Sequence, residues 1–172
     1  YLQRHEAAAD AFAQYAASYP EAEDAAQALF RAGVAYGKAR AWSKQVRAFQ
    51  DLSTRFAARA PPALLVEARL GAASAHRELG REPAATREYG AAVSEFRRLG
   101  LRPEASPAAA AAAAESQFRL SEKELEKVDA MALPATTDPR KLKRPLVAML
   151  AERKRVAALY DEVKAFKRPD WT

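Results

Sequence analysis

The chain has 172 residues, 49% apolar and 29% charged, with a formal net charge of +6. That balance suits one compact domain or a short solenoid and excludes an intrinsically disordered chain. The absence of cysteine excludes disulfides, iron–sulfur clusters, thiolate zinc sites and thiol catalysis, and the longest apolar run, residues 108–114, is far too short to span a membrane.

Ala and Arg are abundant, Gly is scarce, and no alternating β-branched stretch appears, so every element reads as helix. The first spans residues 4–18 and ends at Tyr19-Pro20. The second spans about 23–39, with Glu21, Glu23 and Asp24 at the positive end of its dipole. A third runs from about 42 to 59 and stops before Pro61-Pro62. The fourth, about 62–79, and the fifth, 83–99, each begin at a proline and close on a glycine, Gly80 and Gly100. Ser106 is placed as the N-cap and Pro107 as the first residue of a long sixth helix reaching about residue 131, on the order of 35–40 Å. Residues 133–139 form a loop. A seventh helix covers about 141–167 and ends at Arg168-Pro169.

The first five helices pair as short hairpins with repeating landmarks. Ala8, Phe12, Tyr15 and Pro20 mark one unit. Gly33, Tyr36, Trp42 and Phe49 mark a second, and Gly80, Ala85 and Tyr89 a third. The aromatic plugs Phe12, Phe49 and Tyr89 stand 37 and 40 residues apart, close to the 34-residue tetratricopeptide period, with the surplus assigned to loops such as 60–62. Over residues 4–99 the chain therefore resembles the tetratricopeptide-repeat family. It departs where Gln45 takes a usual small position and where Ala73 and His76 replace the third unit's glycine and tyrosine.

In the seventh helix, Leu142, Leu146, Met149, Val156, Tyr160 and Val163 form an apolar stripe interrupted by Arg153. The sixth offers Phe118, Leu125, Val128 and Met131 or Ala132, so the two are expected to pair as an elongated antiparallel hairpin. The segments Ala114-Glu-Ser-Gln-Phe118-Arg-Leu-Ser-Glu122, Lys154, Leu159-Tyr160-Asp-Glu-Val163-Lys and Pro169-Asp-Trp171 resemble tetratricopeptide proteins of gliding deltaproteobacteria. That resemblance, over roughly 108–171, implies a bacterial cell-envelope or motility assembly, periplasmic or outer-membrane associated, with the cytoplasm as the alternative. It also implies a further helical unit after Asp170-Trp171. The start at Tyr1, without Met, has the look of an excised fragment.

No catalytic constellation emerges. His5 and His76 are 71 residues apart without ligand-spaced carboxylates, and Ser43, Ser53 and Ser74 have no neighbouring His. Gly33-Val-Ala-Tyr-Gly37-Lys38 has one residue too few for a phosphate-binding loop and no Ser/Thr after the lysine. No cofactor and no metal is expected. The repeat family lines its concave groove with the first helix of each unit. Mapped here, the resemblance implies Gln27, Phe30, Val34 and Lys38 from one helix and Glu67, Leu70, Ser74 and Arg77 from the next. The plainer alternative makes Phe30 and Leu70 core and the charges simply solvated.

The positive charge is local. Residues 1–139 carry 18 basic and 18 acidic side chains, whereas 140–168 carry ten basic and three acidic ones. The basic set is Arg140, Lys141, Lys143, Arg144, Arg153, Lys154, Arg155, Lys164, Lys167 and Arg168. It reads as a solvated face, as a dock for an acidic protein or anionic headgroups, or as a nucleic-acid surface. The last is disfavoured because Tyr160 and Phe166 are claimed by the apolar stripe.

The expectation is an all-α solenoid of about seven helices. Tetratricopeptide-like hairpins occupy residues 1–100, and a longer hairpin continues the stack over 101–172. The expected function is a non-catalytic scaffold for a protein or peptide, not transmembrane, with self-association through exposed repeat edges; the alternative is an adaptor that binds an acidic partner or nucleic acid through residues 140–168.

Overall fold

The computed structural model describes residues 2–166, and all regular structure among them is helical. The seven helices are α1 (Leu2–Ser18), α2 (Ala25–Lys38), α3 (Trp42–Arg55), α4 (Pro62–Glu78), α5 (Glu82–Arg98), α6 (Pro107–Asp129) and α7 (Pro139–Lys164). Each packs on its chain neighbours, and α4 also packs on both α2 and α6. Short connections force antiparallel neighbours, so these three alternate helices run in the same direction as one layer.

The sequence landmarks explain how the layers close. The Phe49 ring, 2% exposed, sits between two glycines of the inner layer. A Cβ built on Gly33 would stand 2.5 Å from the ring, and one on Gly71 closer still. Neither helix could approach α3 this closely with a larger residue. Around this wedge lies one apolar cluster joining α1 to α4, with Leu29, Tyr36, Leu52, Phe56 and Leu65. A second joins α4 to α7 through Val66, Val93, Phe96 and Val163. Apolar surface is thus buried between neighbours along the stack, as in a repeat protein.

Helix ends follow local chemistry. Gly80 and Gly100 adopt positive φ, and the amides of Arg81 and Leu101 close back on the His76 and Phe96 carbonyls. Arg40 takes the same left-handed conformation at the end of α2, with the Ala41 amide on the Tyr36 carbonyl. Ser106 and Pro107 take the cap and first positions of α6, but the Ser106 side chain makes no capping hydrogen bond. Asp138 does cap α7, accepting from the Arg140 amide at 2.9 Å.

Alanines of the tract at 108–114 are largely buried and let α6 lie against α4 and α5. Farther along α6, Ser116 and Ser121 are buried and donate to the Ala112 and Gln117 carbonyls. The pairs Phe118–Tyr160 and Glu124–Arg155 fix the register of the final hairpin. By that register Asp129, the last residue of α6, lies level with about residue 150 of α7. The first three turns of α7 therefore project past α6. The expected burial of Leu146 is corrected accordingly: it is 43% exposed, with Val147 and Leu150 still more open. Met131 at the close of α6 is likewise exposed, while Val156 and Val163 are buried.

Candidate functional site

The inner layer encloses a trough of about 690 Å³. Its floor is the outer surface of the core. Phe30 packs at a tilt against Phe49 with ring centroids 5.7 Å apart, and Leu70 is only partly covered. Its far wall is α6, which contributes Ala108, Ala111, Ala112 and Glu115. The α6 wall is low because it is built of the three alanines, whereas the space beside Gly71 and Gly37 is filled by the Phe49 ring and the Gln45 side chain, which form part of the lining. Trp42 and Gln45, from the start of α3, complete one end.

Six of the eight residues mapped from the repeat resemblance line this trough: Phe30, Val34, Lys38, Glu67, Leu70 and Ser74. The other two lie elsewhere. Gln27 borders a separate trough of about 580 Å³ between α1 and α2, beside Phe12, Tyr15 and Arg31. Arg77 borders a third, of about 620 Å³, with Arg119, Glu122 and Lys123. The helix-by-helix mapping also missed Trp42, Gln45 and Glu115. One signal was available for Gln45, a polar side chain at a position where the repeat asks for a small one.

The trough is electrically uneven. Lys38 ends α2, whereas Glu67 lies in the second turn of the parallel α4, so cation and carboxylate stand toward opposite ends. Glu67 is half-buried, and burial alone pushes its carboxyl above the ordinary glutamate range. Glu115 is already engaged by Arg119 at 3.2 Å. Gln45 Oε1 is buried without a hydrogen-bond donor.

On the opposite side, charges tie helices together. The Tyr36 hydroxyl donates to Asp10 at 2.7 Å, and Lys44 bridges Glu6 at 2.9 Å and Asp10 at 3.1 Å. Burial and the Asp10 hydrogen bond push the Tyr36 hydroxyl up to about 12. The same hydroxyl, with Lys44, holds Asp10 below the usual carboxylate range. This knot joins α1, α2 and α3, so it braces the wall behind the trough.

The basic set is split by the final hairpin. Arg153 reaches Asp129 at 3.5 Å, Arg155 joins Glu124 and Glu152, and Lys164 meets Asp161. Arg140, Lys141, Lys143, Arg144 and Lys154 are exposed. Lys167 and Arg168 lie outside the described residues, as does the Asp170-Trp171 pair. Tyr160 packs edge-on against Phe118, and Phe166 against Phe96.

Among the described residues no group of three or more His, Asp or Glu is placed to hold a metal, and no helix is long and apolar enough to cross a membrane. His76 is buried, which lowers its pKa, and its Nδ1 has no hydrogen-bond partner. No family model matches the chain, and no curated protein or solved structure matches it.

Proposed function

We propose that the protein is a non-catalytic scaffold of the tetratricopeptide kind, which holds a segment of a partner protein in the trough between α2, α4 and α6. One observation carries this reading: an open trough with an apolar floor and charges at opposite ends, walled on one side by the alanines of α6. Phe30, Val34 and Leu70 supply apolar contact, and Val34 is 39% exposed. Ser74 supplies a hydroxyl and Lys38 an anion partner. The resemblance of residues 108–171 to envelope and motility proteins favours a bacterial envelope assembly as the setting.

Trp42 provides the test, because it lines the trough. With Trp171→Phe, Trp42 is the sole tryptophan. Peptides selected from a random library on the whole chain should shift its emission. They should lose about tenfold or more in affinity on Val34→Arg, with circular dichroism unchanged. Selected peptides that leave Trp42 and Val34→Arg indifferent would remove this reading.

A second reading rests on the projecting start of α7. Leu146, Val147 and Leu150 are exposed there beside Lys143, Arg144 and Lys154. A face that is both apolar and cationic suits an acidic amphipathic partner. Binding through it falls steeply with salt, whereas binding to the trough is far less salt-dependent.

A further inference from the structure

Among the side chains lining the trough, Glu67 is the least explained by the fold. It is half-buried in the second turn of α4, beside Leu70 and facing the alanines of α6. No arginine or lysine among the described residues forms an ion pair with it, and no hydrogen bond reaches it. Its neighbours are treated differently. Glu115 in the opposite wall is held by Arg119, and Glu88 on α5 by Arg69 at 3.0 Å. A carboxylate taken partly out of water without a counter-charge works against folding, so its stability must come from elsewhere in the domain. At the other end of the trough, against Gly37, lies the buried Gln45 amide, whose Oε1 lacks a donor. Both unanswered groups are acceptors, and both border one apolar trough.

We propose that the trough selects a protein segment carrying a lysine or arginine next to apolar side chains, with Glu67 receiving the cation. This rests on the trough being the binding surface. The apolar neighbours of that cation lie on Phe30, Val34 and Leu70. They exclude water from the pair, so the attraction is stronger there than on an open surface. Lys38 at the other end disfavours a second cation there, which sets the direction in which the segment lies. A carboxylate already stripped of part of its hydration loses little more when the partner arrives. That pre-organisation is what the unpaired state provides.

The experiment pans a random twelve-residue peptide library on the whole chain and on its Glu67→Gln, Glu67→Lys, Val34→Arg and Leu70→Arg variants, each checked for helicity. The wild-type chain should enrich peptides with Lys or Arg beside apolar residues. Those peptides should lose about tenfold or more in affinity to Glu67→Gln. Glu67→Lys should turn the selection toward Asp and Glu. Peptides that lose binding on Leu70→Arg yet show no basic enrichment, or ignore Glu67→Gln, overturn the cation assignment and leave the trough standing. Peptides that ignore both Val34→Arg and Leu70→Arg, or no selected peptides at all, overturn the trough and the cation assignment together. Spermine displacing the peptides as well as an unlabelled peptide does would also overturn the assignment, because the apolar neighbours would then add nothing.

Discussion

Phe49 makes the layers of this protein interdependent. Removing its ring empties a fully packed site, and Phe49→Ala should lower the unfolding free energy by about 3–5 kcal/mol in urea titration. Gly71→Ala should also destabilise, by about 1–3 kcal/mol of overpacking against roughly 1 kcal/mol of helix-propensity gain. In the Phe49→Ala background the added methyl meets no ring, so the same Gly71→Ala change should become neutral or stabilising. That change of sign is the signature of a wedge. Glu67 behaves in the opposite sense. Its folded-state pKa lies above the unfolded value, so its contribution to stability is full below the 4.5 of an ordinary glutamate and is lost as pH rises through the folded value. Glu67→Gln should therefore be more stable than wild type at neutral pH, and the gap should close under acid. A Glu67→Gln protein less stable at neutral pH would mean that the carboxylate has a counter-charge in the fold. Much of this residue-level picture was legible in the sequence. Gly33 and Phe49 stood at the spacing of a crossing and its plug. The partnering of Glu67 was not legible, because that depends on which cations three separate helices bring near it.

At the scale of elements, the ends of α2, α4 and α5 share one device. Gly80 and Gly100 adopt the left-handed conformation freely, whereas Arg40 adopts it at a cost of about 1 kcal/mol. Arg40→Gly should raise the unfolding free energy by about 0.5–1 kcal/mol, read from thermal or urea midpoints, without moving α2. Local signals, mostly proline and glycine punctuation, placed all seven helices to within a few residues; the α2–α3 boundary at residues 39–41 carries neither residue. The apolar stripe of α7 was legible as well, but its burial was not. Periodicity shows which face is apolar, and the length of the neighbouring helix decides how much of that face is covered. α6 ends level with about residue 150 of α7, so Leu146 and Val147 remain open. Amides of the projecting turns, residues 143–149, should consequently exchange with solvent on the order of a hundredfold faster than those in the middle of α4. Equal protection in the two segments would mean that the start of α7 is covered in solution.

For the molecule as a whole, stacking alternate helices in one layer leaves that layer with a free face, and the trough lies along it. Six of the eight groove positions mapped from the repeat resemblance converge there because equivalent turns of parallel helices come level with one another. Gln27 and Arg77 diverge because Gln27 opens toward α1 and Arg77 toward α5 and the middle of α6. Trp42 and Gln45 come from α3, whose reach into the trough depends on tertiary register rather than on any period within one helix. The most direct measurement places a photo-activated benzoylphenylalanine at Val34, inside the trough, and separately at Gln50, exposed on α3 outside it. Both are expressed in the native cell within the complete protein. A partner segment held as proposed crosslinks from position 34 and not from position 50, and Leu70→Arg abolishes the crosslink. Equal crosslinking from both positions, or crosslinking from position 50 alone, would contradict the trough as the place where this protein holds its partner.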